Sequence, residues 1–149
     1  MNAMSGGTII GKNGRGNRAA HSKESILAHT KNLLKALLPA IQRMPKIERI
    51  EGAPQEMKRA AFDIIGHFTT AWYCPEARNE NIRRIFADYG KMMAAFEIII
   101  QQGLMTDSAK LAIAIEIERI EEGVVRWRNS LRSASASGAG ECSPVSTNE

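Results

Sequence analysis

The stretch TDSAKLAIAIEIERIEEGVVRWRNSLR, residues 106–132, decides the fold. Its large apolar residues recur at alternating steps of four and three, which is the repeat of one face of an α-helix. The members of this stripe are Ile113, Ile117, Ile120, Val124, Trp127 and Leu131. The segment 111–117 also alternates like a strand and is rich in β-branched residues. Helix is favoured because the repeat continues far beyond residue 117 and no other strand exists to pair with this segment.

Three more helices precede this one. The first is predicted from Ser22, as N-cap, to about Arg43, with a kink at Pro39. A loop is predicted over 46–53, and the second helix begins at Pro54 and ends before Cys74–Pro75. The third helix begins at residues 75–76 and ends at Gly103, after which Thr106 and Asp107 cap the fourth. Short connections between such helices are typical of an all-α, up-down-up-down antiparallel four-helix bundle.

Composition divides the 149 residues into three parts. Residues 1–21 are glycine-rich and basic and predict a flexible arm, and residues 133–149, rich in Ser, Ala and Gly, predict a disordered tail. The bundle therefore occupies 22–132. Two distant cysteines exclude a disulfide scaffold, and no apolar run approaches the length of a membrane span or forms a secretory signal. We expect a cytoplasmic protein.

The sequence offers no constellation for catalysis. His21, His29 and His67 lack partners at metal-ligand spacing, and Cys74 has no evident base beside it. The glutamates of 116–122 lack the Glu-x-x-His pairs of di-metal bundles. We therefore expect no enzyme, no metal and no cofactor.

Basic residues give the clearest functional signal. The net charge is +4, and bases cluster at 43–49, at 83–84 and at 126–132. In simple up-down order the first and fourth helices end at opposite poles, so two separate patches are expected. Such clusters either contact phosphates or only solubilise the surface.

One stretch resembles a known family. Leu37-Leu-Pro-Ala-Ile-Gln-Arg-Met-Pro-Lys46 places a proline late in the first helix and a Met-Pro-Lys break after it. This is similar to the accessory variability determinant proteins of diversity-generating retroelements, within the four-helix-bundle group that includes the 23S rRNA intervening-sequence proteins. The resemblance covers about residues 26–132, and this chain departs from it around Gly123 and Trp127, where the family often has a Gly-x-x-x-Gly-Gly-Trp-like close. Further matching positions are Glu56-Met57, Arg83, Asp88, Tyr89, the 92–100 run and Met105-Thr106.

The resemblance implies a five-fold, ring-like homo-oligomer, a homopentamer, with a basic surface. It implies a non-catalytic subunit that binds a reverse transcriptase and its template RNA and cDNA and supports mutagenic cDNA synthesis. The alternatives are an rRNA-intervening-sequence-type bundle without a polymerase partner and a purely structural, scaffolding oligomer. The residues hypothesised to contact nucleic acid are Arg43, Lys46, Arg49, Arg83, Arg84, Arg126 and Arg128.

Overall fold

A computed structural model describes residues 16–138, with side chains for 25–136. The helices are α1 (Gly16–Gln42), α2 (Lys46–Glu51), α3 (Ala53–Tyr73), α4 (Arg78–Gln101) and α5 (Asp107–Gly138), and a 3₁₀ turn spans Pro75–Ala77. No strand occurs within this part of the chain. The four long helices confirm the prediction of an all-helical bundle.

The long helices pack side by side around an aliphatic core. The most extensive contacts join α1 to α5 and α3 to α4, whereas α1 meets α3, and α4 meets α5, over smaller areas. The segment that carries the apolar stripe is helical. Ile113, Ile117 and Ile120 are buried, while Leu111 and Ile115 face solvent. The strand alternative is therefore excluded for this segment. Within the residues described, no helix is both long and apolar enough to cross a bilayer.

Both terminal helices are longer than predicted. α1 begins at Gly16, so Ser22 lies inside the helix instead of capping it. α5 continues to Gly138, six residues into the predicted tail. Extending an existing helix adds a hydrogen bond for each residue fixed and needs no new nucleus, which explains how a Ser/Ala run continues α5. The remaining parts of the predicted arm and tail, 1–15 and 139–149, lie outside the described residues.

The predicted loop over 46–53 is wrong, because α2 occupies most of it. Pro45 precedes this helix in an extended conformation, and its carbonyl accepts a hydrogen bond from Arg49 N–H at 3.2 Å. Gly52 separates α2 from α3, and a Cβ there would collide with Glu48. α3 then begins at Ala53, one residue before the predicted start.

The turn between α4 and α5 confirms the predicted stop and start signals. Gly103 has φ +65°, and the N–H groups of Gly103 and Leu104 donate to the carbonyls of Ile100 and Ile99 at 3.0 and 3.2 Å. This is the Schellman arrangement, which satisfies the last helical carbonyls. Thr106 Oγ1 accepts from Ala109 N–H at 3.3 Å and caps α5.

Replacing either of two glycines by alanine is expected to change the free energy of unfolding, in opposite directions for Gly103 in this turn and Gly90 within α4. Gly103→Ala places a Cβ in the left-handed region and is expected to lower the free energy of unfolding by about 1 kcal/mol. Gly90→Ala, in the exposed middle of α4 with open space around it, is expected to raise that free energy by about 0.5–1 kcal/mol. Urea denaturation followed by circular dichroism measures both. If Gly103→Ala stabilised the protein as much as Gly90→Ala, the turn conformation described here would be wrong.

Polar contacts and one close approach fix the helices against each other. His29 Nδ1 of α1 lies 2.5 Å from Glu116 Oε2 of α5, and His67 Nδ1 of α3 lies 2.6 Å from Asp88 Oδ2 of α4. At Gly123 of α5 a Cβ would come within 2.8 Å of the Ile26 side chain. α1 and α5 therefore approach closely there.

Tyr89 links α4 to α5. Its hydroxyl donates a hydrogen bond to Glu121 Oε2 at 3.0 Å. Burial, the hydrogen bond to Glu121 and the negative charges of Glu121 and Glu118 all raise the pKa of Tyr89. The hydroxyl therefore stays protonated well above neutral pH and remains a donor.

Candidate nucleic-acid interface

A groove forms where the first turns of α4 meet the last turns of α5. Arg128 of α5 lies over the ring of Phe86 in α4, with its Cζ 4.8 Å from the ring centroid, and this contact brings the two segments together. The groove has a volume of about 350 Å³. We call it the arginine groove, and it is lined by Asn79, Ile82, Arg83, Arg128, Leu131, Arg132 and Ser135.

The guanidinium of Arg128 packs on the Phe86 ring, and no acid among the described residues forms an ion pair with it. Its Nε is buried and has no hydrogen-bond partner among the described residues. Stacking on an aromatic face orients the planar guanidinium and is favourable for a cation. Because no carboxylate lines the groove among the described residues, the positive charge of Arg128 is not neutralised there.

The surroundings of the arginine groove are strongly basic. Residues 76–84 and 126–132 together hold six arginines and two glutamates. Arg84 Nη2 lies 2.5 Å from Glu80 Oε1, and Arg78 Nε donates to the Ala71 carbonyl at 3.0 Å, so these two arginines are already engaged. Arg83 and Arg132 are exposed and have no ion-pair partner in the described part of the chain. The groove therefore offers guanidinium groups to an external anion.

A second basic site lies beyond the end of α1. A cavity of about 290 Å³ is bordered there by α1, α2 and the start of α3, and Lys46, Arg49 and Lys58 contribute its cations. Its other walls are largely apolar, from Leu38 and Ile50 among others. Residues 43–59 hold five bases and three glutamates, so this end is less positive than the arginine groove.

The structure separates the two predicted patches. Lys58 lies near the start of α3 and Asn79 follows the end of that helix. The 15 residues from Lys58 to Tyr73 span about 22 Å at the rise of an α-helix. One phosphate group therefore cannot contact both sites.

Four of the seven predicted contact residues are divided between these sites. Arg83 and Arg128 line the arginine groove, and Lys46 and Arg49 line the second cavity. Three others line neither: Arg43, Arg84 and Arg126. Arg132 lies in the groove but was not among the seven. Its spacing of four from Arg128 is the signal that places both on one side of α5.

Among the described residues, no group of three or more His, Cys, Asp or Glu side chains is arranged to hold a metal ion. No protein-family model matches the chain, and no curated protein or solved structure is significantly similar to it. What the protein does is therefore inferred from its own residues and surfaces.

Proposed function

We propose that this chain is a non-catalytic, cytoplasmic accessory protein that binds RNA through the arginine groove. The observation that carries the proposal is the meeting of Arg83, Arg128 and Arg132 in one groove that no described carboxylate lines. Guanidinium groups match the geometry of phosphate oxygens and form charge-assisted hydrogen bonds with them. Phosphate contacts of this kind hold a nucleic acid by its charge and shape and do not read its bases.

The partner and substrate in this proposal are a retroelement reverse transcriptase and its template RNA or cDNA. The resemblance over about residues 26–132 supports them, and the basic groove provides a surface suited to hold a template. A reverse-transcriptase gene beside the gene for this chain is the expected genomic context. Its absence would favour the rRNA-intervening-sequence type of bundle.

We also propose that the helices follow the up-down-up-down antiparallel order. Contacts between α1 and α5 support it: Ile26 lies beside Gly123, whereas His29, further along α1, reaches back to Glu116. Between α4 and α5, and between α3 and α4, residues later in one helix likewise contact residues earlier in the other, as antiparallel helices do. Exposed apolar side chains on several helices support assembly into a ring-like homo-oligomer, which the resemblance makes a pentamer.

Charge reversal in the groove tests RNA binding. The double variant Arg83→Glu/Arg132→Glu is expected to weaken binding of a labelled single-stranded RNA oligonucleotide about 100-fold or more, because each charge-assisted hydrogen bond contributes roughly 1.5–3 kcal/mol. Fluorescence anisotropy measures the dissociation constant, and circular dichroism checks that the helices are retained.

The matched control is Arg59→Glu/Lys91→Glu. Both residues are exposed, neither lines the groove, and the change in net charge is the same. The control is expected to weaken binding less than about tenfold, through the long-range field alone. An equal loss in both double variants would show that the groove is not the contact.

A further inference from the structure

The outer face of α5 carries an apolar and acidic stripe. Leu111 is 64% exposed and Ile115 is 42% exposed, although both are large aliphatic residues. Glu118 and Glu122 continue the same side of the helix at steps of three and four, and both are exposed. The span 111–122 holds four glutamates and one arginine. We call Leu111, Ile115, Glu118 and Glu122 the α5 stripe.

A surface of opposite charge lies across α1 and α3. On α1, Lys31, Lys35 and Leu38 share one side at steps of four and three, and all three are exposed. On α3, Lys58 lies one turn before Phe62, whose side chain is 49% exposed. Leu38 and Lys58 line the same cavity, so the two helices present one surface. We call these five residues the α1/α3 face.

The α1/α3 face is basic and partly open. Residues 31–38 and 58–62 contain bases and no acid. α1 also packs less extensively on α3 than on α5, and Leu38 of α1 and Phe62 of α3 are both exposed. This surface is therefore complementary to a helix that exposes aliphatic and acidic residues on one side.

We propose that the α5 stripe of one copy packs against the α1/α3 face of a second copy. The inference rests on the self-association put forward above and names its contact. Charge complementarity carries it, because the acidic stripe and the basic face both belong to this chain and both expose large apolar side chains. Pairing them removes Leu111, Ile115 and Phe62 from water and opposes glutamates to lysines.

This contact joins two different surfaces of the molecule, so one copy can use its stripe and its face with two different neighbours, which is a head-to-tail arrangement. A head-to-tail contact repeats from copy to copy and produces either a closed ring or an open filament. A symmetric dimer, in which the same surface meets itself, would place glutamates opposite glutamates on the stripe or lysines opposite lysines on the face.

Two charge-reversed variants of the full chain test the contact. Glu118→Lys/Glu122→Lys reverses the stripe, and Lys31→Glu/Lys35→Glu reverses the face. Each variant alone is expected to sediment as a monomer near 16.4 kDa, whereas the unaltered chain is expected to sediment as an oligomer. An equimolar mixture is expected to reassemble, because every junction in an alternating chain of the two variants is again acidic against basic. A closed ring of alternating variants has an even number of copies, so the mixture replaces the proposed pentamer by an even-numbered ring or an open chain, and any complex larger than a monomer counts as reassembly.

The control variant Glu76→Lys/Glu97→Lys has the same change in net charge as the stripe variant, at exposed positions off both surfaces, and it is expected to remain oligomeric. Analytical ultracentrifugation measures all five samples: the unaltered chain, the two reversed variants, their mixture and the control. This contact would be overturned, with self-association left intact, if both reversed variants formed the same oligomer as the unaltered chain. The same holds if the mixture of the two variants stayed monomeric. A monomeric unaltered chain would overturn both the contact and self-association, and RNA binding by the arginine groove is measured independently of either.

Discussion

Replacing Trp127 by alanine is expected to lower the free energy of unfolding by about 3–5 kcal/mol, the usual loss for a buried tryptophan or phenylalanine. Trp127 of α5 and Phe68 of α3 are almost completely buried, and their ring centroids lie 4.9 Å apart with planes tilted by 51°. Phe68 also stacks on Trp72. The aromatic pair therefore joins two helices that make few other contacts with each other, and truncating either ring leaves a cavity between them.

Phe68→Ala is expected to have an effect of the same size. Because the rings touch, the double variant is expected to lose about 0.5–1.5 kcal/mol less than the sum of the single losses. Ile47→Ala is the control, since Ile47 is a large apolar residue that is 68% exposed on α2, and its change is expected to stay within about 0.5 kcal/mol. Urea denaturation measures all four variants. A loss below about 1 kcal/mol for Trp127→Ala would show that this residue is not packed as described.

The second large effect is expected at His67. The Asp88 side chain is only 6% exposed, and His67 Nδ1 lies 2.6 Å from its carboxylate. His67→Ala leaves a buried acid with no partner, and an unsatisfied buried group costs about 1–3 kcal/mol, or more when it is charged. The free energy of unfolding is expected to fall by at least about 2 kcal/mol.

His29→Ala is the matched comparison, because His29 pairs in the same way with Glu116. The Glu116 side chain is 19% exposed, against 6% for Asp88, so water partly replaces the lost histidine. The loss at His29 is therefore expected to be smaller than the loss at His67. Equal losses at the two histidines, or a larger loss at His29, would show that burial of the acidic partner does not set the size of the effect.

The sequence predicted the features that depend on local repeats and local chemistry. The repeat of Ile113, Ile117 and Ile120 identified a helix with its buried side, and Gly103 and Thr106 identified the turn before it. Prediction from the sequence failed where a neighbouring element determines whether a segment is helical. α2 is too short to have a periodic signal, and α5 extends beyond its apolar stripe because an existing helix propagates easily.

The candidate site was only partly visible in the sequence. The basic clusters and their separation into two regions follow from residue order, but the partners of each arginine depend on packing. Arg84 is engaged by Glu80 one turn away, while Arg128 rests on Phe86 of another helix. The second contact depends on how α4 and α5 meet, which composition and spacing do not specify.

The salt dependence of RNA binding shows whether the arginine groove contacts phosphate. The logarithm of the association constant is measured against the logarithm of salt concentration for the unaltered chain and for Arg83→Ala. We expect a steep linear fall for the unaltered chain and a slope shallower by about one for the variant, because one phosphate contact is lost. Binding that is independent of salt, or the same slope in both proteins, would contradict phosphate contact by the arginine groove.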